Sequence, residues 1–141
     1  MIVSTKGRYA LRVMLALAEE KSGGYVPLKE IAAKEEISLK YLESILVVLS
    51  RAGFVDALRG RGGGYRLSKA PEAYTVGSIL QLTEGSMTSV SCPACGDGDC
   101  DRAGDCKTFP LWRGLDRIVS TYLDGITLKD LADPHFFPET H

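Results

Sequence analysis

The sequence predicts a mainly α-helical chain with one small β-hairpin, and three observations carry that expectation. Apolar residues recur at three- and four-residue spacing in several segments, the period of one helix face. Two short runs, Phe54 to Leu58 and Tyr65 to Leu67, flank the stretch RGRGGG, which a helix cannot contain. The 141 residues, 45% hydrophobic, can bury roughly two thirds of their unfolded surface, enough for one core with an appended element.

The first helix is expected to start at Ser4 or Thr5, either of which can cap it. Tyr9, Val13 and Leu17 lie on one side of it, and Ala10, Leu11, Met14, Leu15 and Ala18 widen the apolar stripe. Gly23-Gly24 is expected to end it. A second helix should begin near Pro27, a residue that suits the first turn, with Leu28, Ile31 and Ala32 at core spacing. Ser38 is a good N-cap for a third, in which Leu42, Ile45, Leu46 and Leu49 repeat at three and four before Gly53 stops it.

Two amphipathic helices joined by so short a turn fit a helix-turn-helix, whose second helix enters the DNA major groove N-terminus first. Away from the leucines that helix carries Lys40, Tyr41, Ser44, Val48 and Arg51, with Glu43 beside them. Taken alone, the pair also suits any all-helical protein. The hairpin decides for a winged helix-turn-helix. Its tip holds three consecutive glycines, which let backbone approach a surface closely, and Arg59 and Arg61 for phosphates or a narrow minor groove. A nucleotide-binding phosphate loop is excluded, because RGRGGG has no Gly-Lys-Ser/Thr ending and no helix after it.

In the second half, Thr75 can cap a helix through Val76, Ile79, Leu80 and Leu82, closed by Gly85. From Pro110 the run LWRGLDRIVSTYL sets Leu111, Leu115, Ile118, Val119 and Tyr122 in a stripe long enough to bury against another helix. Packing on a twin, giving a homodimer on a pseudo-palindromic site, is the expectation; packing on helix one is the alternative. Charge divides along the same line. Residues 1–70 hold twelve Lys/Arg against seven Asp/Glu, and residues 71–141 five against eleven. A basic first half suits a phosphate backbone.

Between the last two helices lies SCPACGDGDCDRAGDC, with spacing C-x2-C-x4-C-x5-C, which contains every cysteine of the chain. Such a polar, glycine-rich segment can wrap thiolates around a metal. Iron-sulfur clusters and structural zinc both take cysteine, so ligand type does not separate them, though zinc favours paired C-x2-C knuckles and only Cys92 and Cys95 form one. The longest apolar runs are too short to span a bilayer, and MIVSTKGRYA lacks the apolar core of a secretory signal, so a cytoplasmic protein without a membrane partner is expected. Thiols in that reducing compartment point to a metal or redox site more than to disulfides.

The stretches TKGRYALRVMLALA, SLKYLESIL, RGRGGGYRL and VGSIL, followed by the cysteine-rich segment and LW, together resemble the IscR-type iron-sulfur regulators, a winged-helix family that includes NsrR and CymR. The resemblance runs to about Pro134. It implies a homodimeric transcription factor, most often a repressor, with long C-terminal helices at the dimer interface and a [2Fe-2S] cluster nearby. By the same resemblance three ligands are Cys92, Cys100 and Cys106. The position of the IscR-type histidine ligand holds Phe109, which cannot ligate iron, and the position of the NsrR-type aspartate holds Arg8. Cys95 is the nearest candidate for a fourth ligand, ahead of His135. A second departure is the wing, Gly-Arg-Gly-Gly-Gly where the family commonly has Gly-Pro-Gly-Gly-Gly, so that Arg61 adds charge and loses the proline's rigidity.

The expected organisation is a winged helix-turn-helix over 1–70, dimerisation helices over 71–134 with a cluster loop at 86–108, and a disordered tail over 135–141. Ser38, Lys40, Tyr41 and Ser44 are the expected major-groove readers. Arg51 and Gly60 join them at the interface, and Arg59 and Arg61 serve the wing. Glu43 either accepts a hydrogen bond from cytosine N4 or pairs with Lys40 at i−3. Zinc or thiol redox at the cysteines is the alternative to a cluster. An iron-sulfur electron carrier would leave the basic winged domain without a use. An enzyme is not expected, since no nucleophile-base constellation is visible and the two histidines fall at His135 and His141.

Overall fold

A computed structural model describes residues 3–85, 87 and 105–136. Six α-helices are found among them: α1 (Thr5–Ala18), α2 (Leu28–Glu35), α3 (Leu39–Arg51), α4 (Val76–Glu84), α5 (Phe109–Asp124) and α6 (Leu128–Ala132). Strands β1 (Val55–Leu58) and β2 (Gly64–Leu67) follow α3 and form one antiparallel hairpin. A mainly helical winged fold is thus observed as expected.

Ser4 caps α1, its hydroxyl accepting from the Gly7 amide at 3.1 Å. The helix ends at Ala18, earlier than the expected stop at Gly23-Gly24. The segment Glu19-Glu20-Lys21-Ser22 offers no apolar face to bury, and it turns through local bonds such as Ser22 N–H to Glu20 at 3.1 Å. Gly23, at φ +73°, shapes the following turn. Pro27 stands one residue before α2 as its cap. The helix-turn-helix bend is made by Glu36 at φ 53°, a left-handed conformation that costs a non-glycine residue about 1–2 kcal/mol. Ser38 then caps α3 through the Tyr41 amide at 3.1 Å.

The core is built where the periodicity placed it. Ala10, Val13 and Met14 of α1 and Leu42, Ile45, Leu46 and Leu49 of α3 are all fully buried. Tyr74, Ile79 of α4 and Leu128 of α6 belong to the same core, so the chain after residue 70 is packed on the helix-turn-helix body. The starts of α4 and α6 are tied together, with Val76 N–H to Ile126 O at 2.8 Å and Leu128 N–H to Tyr74 O at 3.0 Å. Helix α6 has no counterpart in the sequence reading, being five residues long and stabilised by a reciprocal Thr127–Asp130 capping box.

The hairpin pairs Val55 with Leu67 and Leu58 with Gly64. Phe54, expected as the start of the first strand, instead lies in the turn, its N–H bonded to Leu49 O at 2.9 Å. Val26 adds a third, isolated rung through Tyr65, with bonds of 2.8 and 2.9 Å. Helix α5 has no buried residue. Leu111 is 60% exposed, Leu115 40%, Ile118 68% and Tyr122 42%, so the stripe is not covered by helix one. Its C-terminal end is anchored, where Leu123 packs on Val76, Leu80 and Ile126. Phe136 packs on that same cluster.

Candidate nucleic-acid interface

Helix α3 turns most of the residues expected on its outward side to solvent. Lys40, Glu43, Ser44 and Arg51 are exposed, and Val48 is half-buried. Among the described residues Lys40, Arg51 and Glu43 take part in no ion pair, so the expected alternative of a Lys40–Glu43 bridge is not observed. The Ser38 hydroxyl is an acceptor in the helix cap but retains its proton for another partner. Ser44 donates to the Tyr41 carbonyl at 2.6 Å, which leaves its oxygen as an acceptor.

Tyr41 plays a more structural part than the sequence suggested. It is half-buried against the core, and its ring meets Tyr9 of α1 edge-on, with centroids 5.9 Å apart and planes at 88°. Arg12 lies over the Tyr9 ring, 5.0 Å from its centroid. Its guanidinium also binds Glu35, Nε to Oε2 at 2.8 Å and Nη2 to the backbone oxygen at 3.2 Å. Glu35 is only 8% exposed and closes α2 just before the bend. Arg12 and Tyr9 therefore link the bend to the start of α3 and fix the angle at which that helix is offered. Sequence reasoning missed this relay because charges spaced 23 residues apart carry no local period.

At the wing tip Arg59, Gly60 and Arg61 are exposed, and neither arginine has an ion-pair partner among the described residues. Arg66, by contrast, is held on the hairpin between Asp56 at 3.9 Å and the Tyr25 ring at 4.4 Å. The glycine run also has an internal purpose. A β-carbon on Gly63 would run into the Leu58 and Gly60 carbonyls, and one on Gly64 into the Val26 carbonyl. Those glycines permit the tight return of the hairpin and the third rung, while Gly60 (φ 93°) and Gly62 (φ 71°) set the tip's direction. Between α3 and the hairpin lies a cleft of ≈ 320 Å³ lined by Val47, Ser50, Arg51, Leu58 and Arg59.

Of the cysteines, Cys92, Cys95 and Cys100 lie outside the described residues, and Cys106 stands half-buried just before α5. The Thr108 hydroxyl, 3.3 Å from Cys106 Sγ, holds that thiol below its ordinary range, which suits a thiolate ligand. Phe109, at the position of the family histidine, is engaged by Arg113 with its guanidinium 5.6 Å from the ring centroid. His135 sits in the turn after α6, bonded through its backbone to Asp133 at 2.9 Å. Arg8 is exposed on α1 and donates to Thr5 at 3.3 Å. No group of three metal-ligating side chains is assembled among the described residues, and no helix among them is long and apolar enough to cross a membrane.

The family model Rrf2, described as an iron-dependent transcriptional regulator, matches residues 3–134. The chain is 40% identical over 131 residues to the HTH-type transcriptional regulator IscR of Aliivibrio salmonicida, covering 93% of this chain and 77% of that protein. Identity to the IscR of Erwinia tasmaniensis is 38% over 133 residues, covering 94% and 79%. Among solved structures, CymR, the global cysteine regulator of B. subtilis, is similar with a TM-score of 0.76 at 37% identity, covering 94% of this chain and 96% of that one. T. potens IscR is similar with a TM-score of 0.72 at 34% identity, covering 93% and 85%.

Proposed function

This chain belongs to the Rrf2 family of iron-dependent transcriptional regulators, and from that premise we propose that it is a repressor that binds a pseudo-palindromic duplex operator as a homodimer, under the control of an iron-sulfur cluster. The observation that carries the DNA reading is the basic face itself. Lys40 and Arg51 on α3 and Arg59 and Arg61 on the wing are exposed and unpaired among the described residues, whereas the domain's buried acid, Glu35, is matched by Arg12. Ser38, Lys40 and Ser44 face the major groove with Glu43, Tyr41 braces their helix, and Arg59 reaches the minor groove. Gly60 keeps the tip narrow. Residues 1–70 are the DNA-reading part and 71–134 the dimerisation part, with the cysteine segment at 86–108 between helices.

The cluster is [2Fe-2S], held by Cys92, Cys100 and Cys106, with Cys95 as fourth ligand. What supports Cys95 is that Phe109 stands at the family's ligand position and brings no imidazole to it. When bound, such a cluster would cross-link thiolates into one unit that iron loss or oxidation undoes.

The test uses the full chain, prepared anaerobically and analysed for iron, sulfide and zinc. Specific duplexes are selected from a random library, and affinity is measured with and without the cluster at physiological salt. The reading expects iron and sulfide in equal amounts, loss of cluster absorbance in Cys92→Ala, Cys100→Ala and Cys106→Ala, weakened absorbance in Cys95→Ala, and an affinity that depends on the cluster. Stoichiometric zinc without sulfide would replace the cluster with a structural zinc site. Failure to select any specific duplex would overturn the DNA reading.

A further inference from the structure

On the recognition helix, Leu42, Ile45, Leu46 and Leu49 are fully buried, yet Leu39 is 43% exposed. Leu39 occupies the first helical position, between the Ser38 cap and exposed Lys40, and is absent from the buried core. A solitary exposed leucine is ordinary on a protein surface. This one stands at the helix end that goes deepest into a major groove, where an apolar side chain has one complementary partner. Thymine alone among the bases shows an apolar group there, its C5-methyl.

Helix geometry ties Leu39 to Glu43. Residues four apart lie on one stripe, separated by about 6 Å along the axis, while successive bases of one strand are spaced by about 3.4 Å. A base read by Leu39 and a base read by Glu43 therefore lie within about two steps of each other. Glu43, unpaired among the described residues, complements cytosine N4.

We propose that Leu39 is a specificity-determining residue that packs on the C5-methyl of a thymine in each operator half-site, close to the cytosine read by Glu43. The inference rests on the DNA reading given above and names the chemistry of the half-site. Val47, another turn on and 45% exposed, lines the cleft beside the wing and lies away from the leading end of the helix. It serves as the control for loss of an exposed apolar group.

The experiment takes the duplex selected by the full-length wild type and replaces each half-site thymine in turn by deoxyuridine, which deletes only the methyl group. Affinities are measured by fluorescence anisotropy for wild type, Leu39→Ala, Leu39→Met and Val47→Ala. One replacement is expected to weaken wild type and Val47→Ala by about three- to five-fold, the loss of one methyl contact. Leu39→Ala should bind the thymine and deoxyuridine duplexes equally, and Leu39→Met should regain the preference. Indifference of the wild type to every replacement, or an undiminished preference in Leu39→Ala, overturns the proposal and leaves the DNA reading intact. If no duplex is selected at all, both fail.

Discussion

Glu84, the last residue of α4, reaches Ser4, 80 positions earlier, with one carboxylate oxygen, accepting its amide at 3.0 Å and its hydroxyl at 2.7 Å. Ser4 in turn caps α1 through the Gly7 amide. A carboxylate at a helix N-terminus is favoured by the helix dipole and by its unpaired amides. Glu84 therefore fastens the end of α4, next to the cysteine segment, onto the start of the helix that underlies the DNA-reading face.

Gly7 is the residue that makes room for this bond, since a β-carbon there would meet the Glu84 carboxylate. Glycine to alanine inside a helix ordinarily stabilises by about 0.5–1 kcal/mol. Here Gly7→Ala is expected to destabilise by about 1 kcal/mol or more through the displaced carboxylate and its hydrogen bonds. In a Glu84→Ala background the same change should revert to stabilising. Urea denaturation of the four proteins in this cycle checks the reversal of sign, and additive effects would show that the two residues do not interact.

Arg12→Ala should cost about 1–3 kcal/mol, because it strips Glu35, whose side chain is 11% exposed, of its charged partner. Glu35→Gln, which retains an acceptor for Arg12, should cost less. Both variants should also weaken duplex binding, since the bend that orients α3 loosens. Calorimetry and anisotropy on the same preparations test this. Unaltered binding with lowered stability would confine the pair to a structural role.

Tyr74 is 2% exposed, and its hydroxyl donates to Phe54 O at 2.7 Å and accepts from Lys69 N–H at 3.0 Å. Burial raises its pKa above the ordinary 10.0. A raised tyrosine favours the neutral form, so its contribution is complete below the ordinary value and is lost as pH climbs through the raised one. Tyr74→Phe should lower stability by about 1–2 kcal/mol at neutral pH. It should also flatten the decline of melting temperature at alkaline pH relative to wild type. Equal alkaline slopes would assign that decline to other groups.

Salt should weaken duplex binding less steeply in Arg61→Ala than in wild type, by about 0.9 in the log-log slope if the side chain neutralises one phosphate. Titrations from low to physiological salt decide it. An unchanged slope would mean that Arg61 points away from the backbone and only forgoes the rigidity of the family's proline.

Much of this fold is legible in the sequence, and what is not has a physical cause. The buried sets of α1 and α3 follow from helical period, and Ser4, Ser38 and Thr75 announce their caps, because both signals are local. Helix α6 is not legible there, because five residues hold too little period to count. The Arg12–Glu35 and Ser4–Glu84 bonds join residues whose sequence neighbours give no sign of them. The glycines of RGRGGG were legible as a turn, but the reason for Gly64 lies in the Val26 carbonyl, which only the folded chain brings near. At the interface, counting positions away from the buried leucines puts Tyr41 outward and passes over Leu39, yet Tyr41 packs on the core and Leu39 is exposed, because at the ends of a stripe the period does not settle facing.

The apolar stripe on α5 is left uncovered by the fold. Leu111, Leu115, Ile118 and Tyr122 recur at spacings of four and three, the pattern of a helix seam, and all four are exposed. A charge at Ile118, 68% exposed and away from both core clusters, cannot unfold the winged body. Ile118→Asp is therefore expected to keep the helical circular dichroism of the wild type while turning a dimer into a monomer by light scattering at micromolar concentration. The affinity for a full operator should fall by orders of magnitude toward that for a single half-site, since two linked reading heads gain from a high effective concentration. If Ile118→Asp stays dimeric, the copies meet elsewhere, and if the wild type is itself monomeric at that concentration, the stripe is not a self-association surface.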